Sequence, residues 1–162
     1  MNDESTIFEW KDYSRDFEDT VNSFLDAEAV KNTGCDDGFN KYYEYWLADK
    51  ETVFNKNFWC KVIFDGNFPI AVISVFKASN GEFIVSEFIV SPALRGKGYG
   101  TKILQELLSS SNKIIGQNIE IAKAVIFPSN TASRRVFEKA GFVYVENGFA
   151  YFCSKRLTKI VK

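Results

Sequence analysis

The chain has no histidine and, among 162 residues, only 3 cysteines, 3 prolines and 1 methionine. The missing histidine excludes a Ser/His or Cys/His nucleophilic pair, a histidine general base and the usual zinc sites. Cys35, Cys60 and Cys153 are odd in number and widely spaced, so they form neither a metal ladder nor a disulfide framework; reduced, mostly buried thiols and no metal are expected. Long apolar runs are also missing. The longest, Ile70 to Val75, contains Ser74 and is far too short for a membrane span. The acidic N-terminus lacks the apolar core of a signal peptide, and a cytoplasmic location is expected.

What is present fits one globular domain over residues 1–162, with 46% apolar and 25% charged residues. Net charge is −1, but it is unevenly spread. Residues 1–50 hold 13 acidic and 5 basic side chains, a net of −8; residues 51–162 hold 8 acidic and 15 basic, a net of +7. A basic second part suits a ligand with several phosphate charges, and an acidic first part suits a cationic acceptor or is simply a solvated face. The slightly acidic total and the lack of a long basic stripe argue against a nucleic-acid partner. No segment advertises an exposed apolar interface, which leaves monomer and homodimer open.

Hydrophobic spacing predicts a short strand at Ile7 to Trp10, a helix with Phe17, Val21, Phe24 and Leu25 on one face, and a second helix with Phe39, Tyr42, Tyr43, Trp46 and Leu47. A polar turn, residues 32–38, is predicted between the helices. Phe58 to Phe64, Ile70 to Phe76 and Phe83 to Val90 read as an antiparallel meander turning at Asp65-Gly66-Asn67 and Ser79-Asn80-Gly81. An apolar stripe of Ile103, Leu104, Leu107 and Leu108 marks a helix. Then come a strand at Ile119 to Phe127, a helix over 130–140, and a closing hairpin of Phe142 to Val145 and Phe149 to Cys153 around Asn147-Gly148. This order describes a mixed α/β or α+β fold with one central sheet.

Two segments carry chemistry. Val90 to Thr101 runs from an apolar strand through Arg95-Gly96-Lys97-Gly98-Tyr99-Gly100 into a helix. Glycines at alternate positions let the backbone approach a ligand, and the following helix directs unpaired N–H groups and a positive dipole end at it, an arrangement that holds an anion such as a pyrophosphate. A dinucleotide fingerprint would need a glycine where Thr101 stands. A Walker loop would need Ser or Thr after Lys97, where Gly98 stands. In the second segment, Asn130 to Phe142, Ser129 or Asn130 is placed to cap a helix; Ala132, Val136 and Ala140 repeat at helical spacing, and Gly141 follows the helix end.

The first segment resembles the acyl-CoA motif Arg/Gln-x-x-Gly-x-Gly/Ala of the GCN5-related N-acetyltransferase (GNAT) family, and the second resembles that family's Asn-to-Gly-Phe block about thirty residues on. The resemblance covers nearly the whole chain. It implies a central mixed, mostly antiparallel sheet with flanking helices, in which the strands carrying Val90 and Ile119 splay apart to admit the pantetheine arm. It implies acetyl-CoA as acyl donor, held at its pyrophosphate by Arg95, Gly96, Lys97, Gly98, Tyr99, Gly100 and Thr101. It further implies that backbone groups of Phe88, Ile89 and Val90 pair with the arm and polarise the thioester, with Asn130 and Ser133 facing it. The local alternative for Asn130 and Ser133 is helix cap and first-turn polar residue.

The expected activity is transfer of an acetyl group to a primary amine of a small molecule, peptide or protein; the alternative is a non-catalytic acyl-CoA-binding sensor or interaction domain of the same fold. Direct transfer needs the amine's proton removed, because such amines are almost wholly protonated at neutral pH. Glu87, a carboxylate in an otherwise apolar strand, is the candidate base, with a sheet-surface ion pair as its alternative role. Strand alternation places it on one face with Val85 and Ile89. Many family members carry a Tyr that protonates the departing thiolate; Phe137 stands there instead. That leaves Ser133, Tyr144, Tyr151 or unassisted departure. For the acceptor, the resemblance points to the connection between the first helices, where Asp36 and Asp37 lie near Phe39, Tyr42 and Tyr43. The alternative is that one aspartate caps the next helix and the aromatics are core.

Overall fold

The β-branched and aromatic runs form strands that turn back at Gly66 and Gly81, as their glycine-containing turns predict. The computed structural model of the chain describes residues 6–48, 57–145 and 150–154. Seven strands, β1 (Glu9–Asp12), β2 (Phe58–Asp65), β3 (Phe68–Lys77), β4 (Phe83–Val90), β5 (Ile121–Val125), β6 (Val143–Val145) and β7 (Ala150–Ser154), form one sheet in the order β1-β2-β3-β4-β5-β7-β6. Every neighbouring pair is antiparallel except β4 and β5. Among the described residues six α-helices accompany it: α1 (Glu18–Asn22), α2 (Ala27–Thr33), α3 (Phe39–Leu47), α4 (Tyr99–Ser109), α5 (Ser111–Ile115) and α6 (Thr131–Lys139).

The helices divide between the two sheet faces. Val21, Phe24, Ala29 and Phe39 from the α1–α3 region pack on Val62, Val72 and Ile89. Ile103, Leu104 and Leu107 of α4, Ile114 of α5 and Phe137 of α6 pack on Ile63, Ile73, Val75, Phe83 and Val85. Burying apolar surface on both faces explains why β3 reads as a nearly continuous apolar run.

Local structure departs from expectation in places. The first strand begins two residues later, at Glu9. The single helix expected through Leu25 ends at Asn22, and a separate, unexpected helix, α2, follows and runs into the first two residues of the expected polar turn. Asp26 starts α2 by accepting the Ala29 N–H at 2.9 Å, and Gly34 ends it in the left-handed region at φ +77°. The turn at Asn147-Gly148 and the side chain of Cys153 lie outside the described residues; Cys35 and Cys60 are buried free thiols.

Two irregularities in β4 make the site. Beside β3, Ser74 faces Glu87 and Val75 faces Val85, so Ser86 is an extra residue in β4, a bulge. Beside β5, pairing covers only Phe83–Ala122, Ile84–Lys123 and Val85–Ala124. Past Val85 the two strands separate.

Candidate active site

The gap between β4 and β5 opens into a cleft of about 540 Å³. Its lining brings together Glu87, Phe88, Ile89, Val90, Arg95, Gly96, Gly98, Tyr99, Gly100, Thr101, Asn130 and Ser133, residues from three separate stretches of sequence. Lys97 is exposed and outside that lining. One wall is the bared edge of β4, whose backbone groups facing β5 have no strand partner beyond Val85. The opposite wall is the end of β5 and the start of α6.

At one end of the cleft the chain turns through Pro92–Leu94 into α4. Gly98 precedes the helix at φ +87°, a conformation L side chains rarely adopt, and no side chain caps the helix. The first intrahelical bond is Lys102 N–H to Gly98 O at 3.2 Å, so the N–H groups before it have no intrahelical partner and face the cleft mouth. Gly100 serves a different need: a Cβ there would stand 3.0 Å from Val136 Cγ1 of α6, so the glycine lets α4 and α6 approach closely.

Arg95 does not extend as a lone cation. Its Nη1 and Nη2 donate to both Asp26 carboxylate oxygens at 2.7 and 3.1 Å, and Glu28 lies 3.6 Å away. The Arg95 and Ala29 hydrogen bonds hold the Asp26 carboxyl below its ordinary pKa. Asp26 therefore fastens the glycine turn to α2, whose Glu28, Ala29, Asn32 and Thr33 line the cleft. The spacing of 69 residues left no sequence signal of this pairing.

Asn130 caps α6 by accepting the Ser133 N–H at 3.2 Å, while both residues line the cleft, so the two roles considered for Asn130 coincide. Phe137 is buried, edge-on to Phe88 at 6.2 Å and to Phe142 at 5.0 Å. Its phenyl ring offers no proton to the cleft. Tyr144 is 42% exposed, carries Arg134 over its ring and does not line the cleft. The side chain of Tyr151 lies outside the described residues.

Glu87 is half-buried where the strands part. Burial pushes its carboxyl up from 4.5 to about 8, with no hydrogen bond or charge opposing that shift. The surface ion pair considered for it has no partner among the described residues. The bulge also corrects its placement: Val85 belongs to the core under α4 and α6, Ile89 to the core under α1–α3, so Glu87 does not share a face with both. Its charge is felt by Cys35 and Tyr42, on the α1–α3 side.

A second, shallower depression of about 210 Å³ lies at the α2–α3 connection, lined by Asp36, Asp37, Lys41, Tyr42 and Tyr45 among others. Neither aspartate caps α3; Asn22 of α1 does so, accepting the Phe39 N–H at 2.9 Å. Asp37 pairs with Lys41 at 3.2 Å. Phe39 is fully buried and Tyr43 packs on Tyr13 and Phe58, so these two aromatics are core. No group of His, Cys, Asp or Glu suited to a metal ion occurs among the described residues, and no helix among them is long and apolar enough to cross a membrane.

Solved structures share this architecture at low sequence identity. An acetyltransferase from Thermus thermophilus superposes with a TM-score of 0.71 at 14% identity, covering 92% of this chain and 97% of that one. AAC(6')-Ib in complex with paromomycin and acetyl-CoA gives 0.70 at 15%, covering 93% and 95%. Spermidine N-acetyltransferase from Vibrio cholerae in complex with CoA and spermine gives 0.69 at 13%, covering 92% and 96%. None of the curated proteins matches the sequence. Residues 13–142, which hold the meander, the glycine turn and the α6 block, match the acetyltransferase (GNAT) family, and the chain belongs to it.

Proposed function

We propose that this chain transfers an acetyl group from acetyl-CoA directly to a primary amine of a small molecule or peptide, with Glu87 accepting the amine's proton. The observation that carries the reading is Glu87: a carboxyl with no hydrogen-bond or ion-pair partner among the described residues, raised to about 8, at the point where β4 parts from β5. A base that titrates near the working pH both exists in its ionised form and holds a proton well enough to take one.

The cleft fits the donor in shape and chemistry. Acetyl-CoA, when bound, supplies an activated acyl group on a thioester. The uncapped start of α4 and the turn at Gly96 and Gly98 direct backbone N–H groups at its pyrophosphate. Because Asp26 occupies the Arg95 guanidinium, that role falls mainly on backbone donors. Phe88, Ile89 and Val90 offer unpaired backbone groups to the pantetheine amides, and an N–H among them polarises the thioester carbonyl. Asn130 and Ser133 line the same cleft, and in this reading the Ser133 hydroxyl returns a proton to the departing sulfur. The acidic depression beside Tyr42 suits the cationic remainder of an amine acceptor. The amine-binding relatives named above support that class of acceptor. With no long apolar helix and two buried free thiols among the described residues, a cytoplasmic site of action fits.

The test has two parts. Thermal stability is followed with acetyl-CoA, dephospho-CoA and pantetheine; ligand at about 100 times its Kd adds roughly 2.7 kcal/mol, and stabilisation is expected to need the pyrophosphate. Free-thiol release from acetyl-CoA is then measured with spermidine, kanamycin and short peptides as acceptors. Amine-dependent release is expected. Tight acetyl-CoA binding without release for any amine would favour a binding module over an enzyme.

A further inference from the structure

We propose that Tyr42 is a positioning residue for Glu87, acting through a ring of three hydroxyls that holds the β4 bulge and thereby turns Glu87 into the cleft. The inference rests on the reading of Glu87 given above. Tyr42 Oη donates to Ser86 Oγ at 3.3 Å, Ser86 Oγ lies 2.8 Å from Ser74 Oγ, and Ser74 Oγ lies 3.0 Å from Tyr42 Oη. The three hydroxyls close a ring when Ser86 directs its single proton at Ser74 Oγ and Ser74 directs its own at Tyr42 Oη. Ser86 also has the Ser74 carbonyl within reach, at 3.3 Å.

The ring sits on the irregularity that matters. Ser86 is the extra residue of the bulge, and Ser74 is the β3 residue opposite Glu87. Regular alternation would place Glu87 on the same face as Val85, beneath α4 and α6. One inserted residue reverses the facing of everything after it, and Glu87 instead lies with Ile89 on the side of α3. A bulge forfeits ladder hydrogen bonds, and the hydroxyl ring supplies replacements at that position. Ser74 is fully buried, so its hydroxyl has no water to turn to in place of Ser86 and Tyr42. Burial raises the Tyr42 hydroxyl well above its ordinary pKa, which keeps it a neutral donor rather than an acid in the reaction.

Tyr42→Phe removes one oxygen and keeps the ring packed against Phe39 and Trp46. The readout is the Glu87 carboxyl 13C shift between pH 4 and 10, assigned with Glu87→Gln, in protein checked for folding by its Tm. Besides Tyr42, the groups that feel Glu87 are Cys35 before α3 and Cys60 of β2, and the charged groups that share its cleft are Glu28 of α2, Arg95 of the glycine turn, and Arg135 and Lys139 of α6. Tyr42→Phe leaves all of these in place. Wild type is expected to titrate near 8, and Tyr42→Phe at least about one pH unit lower as water reaches the loosened bulge. Turnover is expected to fall about tenfold with the KM for acetyl-CoA unchanged. A folded Tyr42→Phe protein with the wild-type midpoint would overturn the proposal and leave Glu87's own role standing. Wild-type turnover in Glu87→Gln would remove that role and the proposal with it.

Discussion

Glu106 and Glu87 are both drawn away from solvent, and their surroundings are opposites. Glu106 of α4 is 7% exposed and accepts the Ile7 N–H at 2.6 Å, the Phe8 N–H at 3.0 Å and Trp10 Nε1–H at 2.7 Å. Glu87 lies in the cleft and accepts from no described residue, and burial raises its proton affinity. Burial therefore does not by itself make a carboxylate reactive. With three donors it anchors the chain's first strand across nearly a hundred residues of sequence; with none it is left able to take a proton.

The contrast can be broken most severely at Glu106. Glu106→Ala leaves three donors without their acceptor, two of them backbone groups, and is expected to cost about 3 kcal/mol or more in urea unfolding. Turnover per folded molecule should stay unchanged, because Glu106 is not part of the cleft. A large loss of turnover at full stability would erase the distinction between the two carboxylates.

Glu87→Gln should do the reverse. The folded-state pKa of Glu87, about 8, is above its ordinary 4.5, so folding favours the protonated form. Its contribution to stability is full below 4.5, declines as pH rises between 4.5 and about 8, and is flat above that. The variant lacks this decline. Unfolding at pH 6 and pH 9 is thus expected to show Glu87→Gln gaining on wild type as pH rises, and parallel behaviour at both pH values would show an ordinary, solvated carboxyl.

A smaller effect is expected where the donor and acceptor sides meet. Asp26→Ala removes the α2 cap and the Arg95 clamp together and should cost roughly 1–2 kcal/mol, read as a shifted urea midpoint with an unchanged slope. The smallest belongs to the acidic depression. Asp37→Ala breaks only an exposed pair with Lys41, and a change within about 0.5 kcal/mol is expected, whereas its KM for a cationic acceptor should rise.

Much of this is legible in the sequence itself. The limits of β4 agree with the Phe83 to Val90 run, because its glycine turn and its exit at Pro92 punctuate it on both sides. The glycine turn and the Asn130 block announce the cleft because backbone freedom and helix capping demand particular residues. What stayed hidden depends on contacts between distant segments. Strand alternation reads straight through Ser86, since a bulge is held here by Tyr42 and Ser74, 44 and 12 residues away, and nothing in the local pattern marks it. Helix α2 escaped notice for a different reason. Its cap, Asp26, and its terminator, Gly34, are both plain, but between them only Ala29 is buried, too little for an apolar stripe.

The most direct test of the account is free-thiol release from acetyl-CoA by wild type and Glu87→Gln, across pH 6 to 9, with the amine acceptor found most active among spermidine, kanamycin and short peptides. Wild-type kcat/KM is predicted to rise with pH to a midpoint near 8, as the base ionises, and Glu87→Gln to turn over at least about 100-fold more slowly with an unchanged KM for acetyl-CoA. Turnover by Glu87→Gln at the wild-type rate, with the same pH profile, would contradict it.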